Sequence, residues 1–380
     1  MTAPHDPRPL RILTVYGTRP EAIKMAPVIA ALRRRPDRFE VTVCATGQHR
    51  EMLDQVQELF GLVPDLDLRL MRPDQSLNGL AAAALAALEE VLAERRPDWL
   101  LVQGDTTTAM SAALAAFHRG VRVGHVEAGL RTGDLQRPFP EEANRRVIDL
   151  LAAALFAPTG RSGRALLDEG TAPERVHVVG NTVIDALGSL ALPAPPEGGR
   201  TEVLVTAHRR ESFGAPIRGV FAALKRLAEA FPEVAWIYPV HPNPNVRGPA
   251  FEILQGLPNV ELCEPLDYQS LIVRLAACRL VLTDSGGIQE EAPAFGKPVL
   301  VLRETTERPE GAEAGVARLV GTNPERIFDE TARLLRSGEA WQRMARAVNP
   351  YGDGHAAERI AAILAGEPWT PFQPGEPGAA

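Results

Sequence analysis

The sequence has few cysteines and no long apolar run. Cys44, Cys263 and Cys278 are the only cysteines among 380 residues, and their spacing fits neither a disulfide framework nor a zinc site. No apolar run approaches the roughly 20 residues that a membrane helix needs, and the N-terminal MTAPHDPRPLR has no signal-peptide pattern. We therefore expect a cytoplasmic protein without a membrane-spanning or targeting segment.

Acidic residues outnumber basic ones, 48 to 41. The formal net charge is -7 at pH 7, so neither a nucleic acid nor an anionic membrane is expected as the main partner. Lysine occurs only as Lys24, Lys225 and Lys297. An anionic ligand must therefore be bound by cations placed locally, and a lysine within a ligand-like loop stands out.

The glycine-rich fingerprints of nucleotide-binding loops are missing too. RILTVYGTRPEAIKMAP, residues 11–27, has the pattern of a strand, a loop and a helix. It has neither the glycines of a dinucleotide-binding fingerprint nor the Lys-Ser/Thr ending of a P-loop, so no nicotinamide cofactor is indicated. The segment offers two cations instead, Arg19 and Lys24.

Short β-rich runs alternate with longer helical patterns, which is typical of βαβ units and parallel sheets. The runs are ILTVYG, EVTVCAT, WLLVQGD and VRVGHVEAG, then EVLVTAHRR, AWIYPVHP, VELCEPL and LVLTDSGG. The Pro/Gly-rich segment LALPAPPEGGR separates the two sets, and the chain is longer than one hydrophobic core usually serves. We predict an α/β protein with two Rossmann-like, doubly wound domains, residues 1–190 and 200–353, facing a central cleft.

Ligands of parallel α/β sheets bind at the carboxyl ends of the strands, where this sequence places polar groups. In the second domain, Ser285–Gly287 follows a strand and opens a helix, so its backbone N–H groups offer a phosphate site. One of Glu290 and Glu291 is expected to bind ribose hydroxyls, and the other to favour the helix electrostatically. Arg303 and Arg308 follow the next strand and could pair with phosphate.

The first domain offers carboxylates at its strand ends and before a helix, namely Asp105, Glu127 and Glu141. A buried carboxyl group can have a pKa close to working pH, which suits proton transfer. Spacing alone leaves Asp105 equally able to cap the next helix, and Glu141 equally able to interact with a helix dipole. His208 heads a His-Arg-Arg run after a strand and is the stronger candidate for chemistry, because such a position does not suit a core.

The most specific signal is a set of eight motifs in order from about residue 10 to 365: GTRPEAIKMAP, GQHREML, GDTTTAMSAALAAF, GHVEAGLRTGD, PEEANR, TAHRRES, TDSGGIQEEAPAFGKPVLVLRETTERPEG and NPYGDGHAAERI. Together they resemble the bacterial non-hydrolysing UDP-N-acetylglucosamine 2-epimerases. The resemblance implies a glycosyltransferase-B architecture whose C-terminal helix, 354–366, crosses back to the first domain. It also implies reversible conversion of UDP-GlcNAc to UDP-ManNAc through release of UDP and a 2-acetamidoglucal, without NAD or metal, in a homodimer.

Matched position by position, the resemblance implies acid/base roles for Asp105, Glu127 and Glu141 and assistance to the leaving group by His208. Which carboxylate serves which face of the sugar is not assigned. The residues that match substrate-binding positions are Arg19, Lys24, Ser285, Gly286, Gly287, Glu291 and Arg308. Glu290 is assigned to structure.

Some members of this family bind a second UDP-GlcNAc as an activator. The residues that match its contacts are Gln48, His49, Arg210 and His241. Glu51 and Asp74 depart from the pattern, because members with the best-defined regulatory pocket have glutamine and arginine there. An acid in place of an arginine removes a phosphate partner.

Other functions on the same fold stay open at this point. A hydrolysing epimerase would release ManNAc and UDP, a glycosyltransferase would pass the sugar to an acceptor, and a non-catalytic sensor would only bind the nucleotide sugar. Three carboxylates in the first domain favour proton chemistry over transfer. The intact set of candidate catalytic residues argues against a sensor.

Overall fold

The computed structural model describes residues 8–47, 50–72, 74–193 and 200–375. The chain forms two compact units, Met1–Ser189 with Gly352–Gln373 and Leu190–Tyr351 with Pro374–Ala380. Each unit is organised around one parallel sheet. Within the described residues, no helix has both the length and the apolar character that crossing a membrane requires.

The sheet of the first unit is parallel throughout the described ranges. Its strands are β1 (Leu10–Tyr16), β2 (Phe39–Ala45), β3 (Leu66–Asp67), β4 (Trp99–Gln103), β5 (Arg122–Val126), β6 (Ala154–Ala157) and β7 (Val176–Val178). They lie in the order β3-β2-β1-β4-β5-β6-β7. All five residues of β4 are buried, as expected of a central strand covered by helices on both faces.

In the described ranges, six helices connect these strands and a seventh follows β7. They are α1 (Arg19–Arg33), α2 (Arg50–Leu59), α3 (Leu77–Arg95), α4 (Thr107–His118), α5 (Glu141–Leu151), α6 (Gly160–Asp168) and α7 (Thr182–Gly188). Helix α1 begins with a capping box, in which the Thr18 side chain accepts from the Glu21 N–H and the Glu21 side chain accepts from the Thr18 N–H. Thr106 caps α4 by accepting from the Ala109 N–H at 3.0 Å.

The second unit repeats the architecture. Its strands are β8 (Glu202–Thr206), β9 (Ala235–Pro239), β10 (Val260–Cys263), β11 (Leu280–Thr283), β12 (Val299–Val301) and β13 (Ala317–Leu319). They form a parallel sheet in the order β10-β9-β8-β11-β12-β13. Its helices are α8 (Ala215–Ala230), α9 (Pro244–Leu254), α10 (Tyr268–Ala277), α11 (Gly286–Glu291), α12 (Pro309–Glu313), α13 (Pro324–Arg336) and α14 (Gly338–Ala345).

The last helix, α15 (Ala356–Ala365), belongs to the first unit and packs against α1 and α7. Its first turn is fixed by Asp185 of α7, whose Oδ1 accepts from the Ala357 N–H at 2.8 Å. Arg359 of α15 donates from Nη1 to the Val179 carbonyl oxygen at 3.0 Å. Polar contacts as well as apolar burial therefore hold the C-terminal segment to the N-terminal sheet.

The predicted fold class is confirmed, since both units are parallel sheets with interleaved helices. All eight β-rich runs contain strands, whereas β3, β6, β7 and β13 were not singled out in the sequence. These four are two to four residues long, too short for a clear pattern, and Ala154–Ala157 has no β-branched residue. Residues 194–199 of the expected linker lie outside the described residues.

Candidate active site

The topology of the first sheet decides where its polar loops meet. The strand order reverses between β1 and β4, which is the switch point where open α/β sheets bind ligands. The carboxyl ends of β1, β4 and β5 are therefore neighbours at one sheet edge. Gly17–Arg19, Gly104–Thr106 and Glu127 follow these three strands directly.

Glu127 is the most constrained of the candidate carboxylates. It is 8% exposed and adopts a left-handed backbone conformation with φ of 70°, which a residue with a side chain rarely occupies. Its Oε2 accepts hydrogen bonds from Lys24 Nζ at 2.5 Å and from Gln103 Nε2 at 2.6 Å. The lysine that stood out in the sequence therefore pairs with a candidate acid/base group.

Asp105 is held by α5. The Arg145 guanidinium forms a short ion pair with Oδ2 of Asp105, and Asn144 Nδ2 donates to the Asp105 carbonyl oxygen at 2.9 Å. Asp105 is not the cap of the following helix, because Thr106 occupies that position. The capping alternative left open by the spacing is thereby removed for Asp105.

The neighbours Glu141 and Glu142 differ in their surroundings. Glu142 is fully buried and accepts hydrogen bonds from the Thr132 N–H, the Gly133 N–H, Arg145 and Arg146 at 3.1 to 3.3 Å. Oε2 of Glu141 is buried and has no hydrogen-bond partner within the described residues. An unpaired buried carboxylate oxygen is costly, so Glu141 differs from Glu142 in carrying an unsatisfied acceptor.

Glu21 was not among the predicted site residues, yet it ties two loops of this edge together. It accepts from the Gly17 N–H at 2.8 Å, the Thr18 N–H at 2.7 Å and Thr106 Oγ1 at 2.7 Å. Burial raises the pKa of the Glu21 carboxyl group, an effect that these hydrogen bonds oppose. The Thr-x-x-Glu spacing of a capping box was the signal that could have identified it.

His125 and Asp149 form a second support beneath the same edge. One ring nitrogen of His125 lies 2.6 Å from Asp149 Oδ1 and the other lies 2.7 Å from the Gly104 carbonyl oxygen. Burial alone would raise the pKa of Asp149, but His125 and Arg131 hold that pKa below its ordinary value. The pair fixes the backbone immediately before Asp105, and neither residue has a motif that would have revealed this.

In the second unit the strand order reverses between β8 and β11. His208 follows β8 and Asp284 follows β11, and Asp284 Oδ2 accepts from the backbone N–H groups of His208 at 2.7 Å and Arg209 at 2.8 Å. The His208 ring stacks on the His241 ring with centroids 5.4 Å apart. Burial lowers the pKa of His208, and the nearby Asp284 opposes this shift.

The Ser285–Gly287 loop opens α11 beside an arginine. A Cβ atom on Gly286 would lie 2.8 Å from Arg308 Nη1, whereas one on Gly287 would meet nothing closer than Ser285 Oγ at 4.0 Å. Gly286 is therefore needed for the close approach of the Arg308 guanidinium. The first N–H groups of α11 have no partner within the helix, as at any helix start.

The adjacent glutamates of α11 have different partners. Glu290 is 2% exposed and its Oε1 accepts from Arg308 Nε at 2.7 Å. Arg308 also pairs through Nη1 with Glu307 at 2.9 Å. Glu291 Oε1 accepts from the Tyr268 hydroxyl at 3.2 Å. Glu290 thus orients the Arg308 guanidinium, whereas Glu291 accepts from Tyr268 instead.

The remaining predicted residues differ in their surroundings, and some fall outside the described residues. Arg19 is the first residue of α1, and its guanidinium has no hydrogen-bond or ion-pair partner among the described residues. Arg210 and His241 are exposed. Gln48, His49 and the side chain of Glu51 lie outside the described residues, while Asp74 is described with φ of 56°. In the described ranges, no group of three or more His, Cys, Asp or Glu is arranged to hold a metal ion.

Comparisons with known proteins cover nearly the whole chain. Residues 30–365 match the family model of UDP-N-acetylglucosamine 2-epimerase. The UDP-N-acetylglucosamine 2-epimerase of Escherichia coli strain K12 is 50% identical over 370 residues, which span 93% of this chain and 98% of the relative.

Solved structures show the same similarity. The UDP-GlcNAc 2-epimerase of Neisseria meningitidis, bound to UDP-GlcNAc, has a TM-score of 0.87 and 44% identity, covering 94% of this chain and 100% of that one. The MnaA–UDP structure from S. aureus has a TM-score of 0.87 and 43% identity, covering 96% of this chain and 100% of that one.

Proposed function

This chain belongs to the UDP-N-acetylglucosamine 2-epimerase family, and from that premise we propose that it interconverts UDP-GlcNAc and UDP-ManNAc without hydrolysing either. The activity is that of an isomerase. The single observation that supports the chemistry best is the set of three carboxylates at one edge of the first sheet, each in a different environment. Glu127 is held by two donors, Asp105 is paired with an arginine, and Glu141 keeps a buried oxygen unpaired.

The reaction needs such groups because the hydrogen on C2 of the sugar is not acidic in the ground state. When the bond from C1 to the phosphate oxygen breaks, UDP keeps the electron pair and positive charge develops on the ring. A carboxylate then removes the C2 proton, which gives a 2-acetamidoglucal. Return of UDP to C1 with a proton delivered to the opposite face of C2 inverts that centre. Two proton carriers and a stabilised leaving group are therefore required.

We assign the proton carriers to the first unit. Groups in different surroundings take up protons with different ease, which lets one carboxylate act as base while another acts as acid. Glu127 lies beside the Lys24 ammonium, whose Nζ is 2.5 Å from Oε2. Asp105 and Glu141 complete the set. Arg19, which has no partner among the described residues, is available to a phosphate group.

We assign the nucleotide to the second unit. The Ser285 hydroxyl, the backbone N–H groups of Gly286 and Gly287 and the Arg308 guanidinium are donors for the diphosphate, whereas the Ser285 N–H already donates to Thr283 Oγ1 at 2.9 Å. Glu291 is the acceptor for the ribose hydroxyls. A ring N–H of His208 can donate to the departing phosphate. The similar proteins solved with UDP-GlcNAc or UDP support a nucleotide-sugar ligand.

We further propose that the protein is a homodimer. Phe117 on α4 and Val147 and Leu150 on α5 are 55%, 38% and 76% exposed, and α4 packs against α5. Large exposed apolar side chains on adjoining helices favour coverage by another protein surface, and a second copy of this chain is the occupant we assign.

The three unpaired cysteines fit a reducing cytoplasm as the place of action.

Activation by a second UDP-GlcNAc is a separate proposal. It is supported by the exposed Arg210 and by His241, which stacks on His208 and so lies beside a proposed catalytic group. It predicts a sigmoidal dependence of rate on UDP-GlcNAc concentration. A strictly hyperbolic curve, with no need for UDP-GlcNAc in the reverse reaction, would contradict it.

The proposed function is tested by incubating the purified protein with UDP-GlcNAc in deuterium oxide without NAD or other additions. We expect both epimers to form, with solvent deuterium at C2 and the sugar still attached to UDP. Free ManNAc with UDP would indicate a hydrolysing enzyme instead. Product without deuterium, or a strict requirement for NAD, would contradict elimination and re-addition.

A further inference from the structure

We infer that Gln103 is the positioning residue for Glu127: with Lys24 it fixes Oε2 of the carboxylate and leaves Oε1 as the atom that exchanges a proton with the sugar. The inference rests on the proposed epimerisation, which it deepens. Gln103 is not part of the acid/base set assigned above.

The contact follows from the sheet. Gln103 is the last residue of β4 and pairs in register with Val126, the last residue of β5. Glu127 comes directly after Val126, so its side chain and that of Gln103 emerge from adjoining strands at the same sheet edge. Gln103 is 4% exposed, and its Nε2 lies 2.6 Å from Glu127 Oε2.

The two donors act on the same oxygen. Oε2 receives Lys24 Nζ from α1 and Gln103 Nε2 from β4, which together occupy the acceptor positions of one carboxylate oxygen. Within the described residues, Oε1 accepts no hydrogen bond, and it is not among the buried oxygens that lack a partner. Oε1 is therefore the oxygen left accessible for the substrate.

Two anchors are needed because one would not fix the plane of the carboxylate. The terminal torsion of a glutamate is broad, so a single donor lets the group turn about its last bond. Lys24 carries a compact charge on a flexible chain, so it attracts the carboxylate strongly but does not fix the orientation of the carboxylate plane. The planar amide of Gln103 supplies direction and remains uncharged at any working pH. The left-handed backbone at Glu127 further limits where this side chain can point.

The test is a series of substitutions at Gln103, measured as kcat and KM for UDP-GlcNAc in the full-length protein. Gln103→Leu removes the donor, and Gln103→Glu keeps the shape but replaces the donor by an oxygen. We expect kcat to fall by about tenfold to a hundredfold in both, the range for a hydrogen bond to a charged group, with KM within about threefold of wild type.

The order of the variants separates hydrogen bonding from packing. If Gln103 acts as a donor, Gln103→Glu is the slower variant, because its oxygen repels Oε2, and Gln103→His regains part of the lost kcat by restoring a ring N–H. If Gln103 only fills space, the isosteric Gln103→Glu is the milder variant, and that order would overturn the inference. Wild-type kcat in Gln103→Leu would overturn it as well.

Gln57→Leu is the matched control, since Gln57 also donates a side-chain hydrogen bond in the first unit, at 3.1 Å to the Tyr16 hydroxyl. We expect wild-type kcat for this variant. Thermal unfolding of each variant shows whether a loss of kcat is accompanied by a loss of stability. If Gln103→Leu is unstable, Gln103→His is compared with wild type in its place. Failure of the wild type to epimerise UDP-GlcNAc would refute the proposed function itself, which is a different outcome from an unaffected Gln103 variant.

Discussion

Asp284 holds His208 by its backbone: the His208 N–H donates to Asp284 Oδ2 at 2.7 Å, while the ring Nδ1 lies 3.5 Å from Oδ1. Oδ1 is buried and has no hydrogen-bond partner within the described chain. One carboxylate therefore fixes the position of the histidine and also opposes the effect of burial, which lowers the pKa of the ring. The proposed leaving-group histidine therefore depends on Asp284 for its position, and Asp284 raises the pKa that burial lowers.

Removing the negative charge of Asp284 is expected to lower the pKa of the His208 ring. In Asp284→Asn the ring loses the interaction that raises its pKa, so the pKa of His208 falls further below its ordinary value. NMR titration of the ring signals, assigned with a His208→Gln variant, measures the shift. We expect kcat to fall by about tenfold or more if His208 has the proposed role in general acid/base chemistry. An unchanged titration together with wild-type kcat would show that Asp284 does neither.

The three carboxylates of the first unit are expected to be essential for turnover and dispensable for UDP. Asp105→Asn, Glu127→Gln and Glu141→Gln should each lose about two orders of magnitude in kcat, the usual range for acid/base groups, and still bind UDP in calorimetry. Glu94→Gln, on an exposed part of α3, is the control and should keep wild-type kcat. Any of the three that retained near wild-type turnover would lose its catalytic assignment.

Gly286→Ala is expected to weaken UDP binding by about tenfold or more, because the added methyl group would lie 2.8 Å from Arg308 Nη1 and push the guanidinium from its place. Calorimetry with UDP measures the change. Gly248→Ala is the matched control, since a Cβ atom there meets nothing within 4 Å in α9. Equal affinities for the two alanine variants would rule out a role for the close approach of Arg308.

Asp185 is expected to make the stability of the protein depend on pH. Burial raises the pKa of this carboxyl group to about 6, above its unfolded value of about 4. Between about pH 4 and about pH 6, Asp185 is therefore protonated more often in the folded state than in the unfolded state. The free energy of unfolding decreases as pH rises through this range, and the contribution of the protonated group is lost above about pH 6. Asp185→Asn cannot ionise, so it should be more stable than wild type at pH 7.5 by up to about 3 kcal/mol and similar to it near pH 4.

Thermal unfolding of wild type and Asp185→Asn across pH 4 to 8 measures the difference. The asparagine oxygen can still accept from the Ala357 N–H, so the variant keeps the contact with α15. Parallel curves for the two proteins would show that ionisation of Asp185 has no effect.

Leu150→Asp is expected to disrupt the proposed dimer. Leu150 is 76% exposed on α5, and a charge there would be buried without a partner if a second copy covers this face. Light scattering coupled to size exclusion should give a dimer for wild type and a monomer for the variant. Val63→Asp, equally exposed at 71% after α2, is the control and should remain dimeric. A monomeric wild type would refute the proposal.

Those candidate site residues that directly follow a strand could be predicted from the sequence. Asp105 and Glu127 follow predicted strands of the first sheet, and His208 and Ser285–Gly287 follow predicted strands of the second. Parallel topology places each pair at the carboxyl end of its own sheet. The choice between adjacent acids was not predictable in this way. Glu141 and Glu142 share a helix start, and only their partners differ, four donors for Glu142 and none for Oε2 of Glu141.

Most of the supporting residues could not be found from spacing. The capping-box spacing marks Glu21, but no spacing connects Gln103 or His125 with its partner, which comes from a distant part of the chain. Lys24 and Glu127, which form one ion pair, are separated by 103 positions. A hydropathy pattern indicates which side of one segment faces the core. It does not indicate which buried polar groups of different segments come into contact.

By itself, the sequence determined the α/β class, the eight main strands and the polar groups that follow them, because periodicity and turn residues act locally. The tertiary structure alone decided that Thr106 rather than Asp105 caps α4, that Glu290 serves Arg308, and that Gln103 and Lys24 share one oxygen of Glu127. A buried polar atom must be paired by whatever the fold brings near it, and that proximity arises only when the strands and helices are packed.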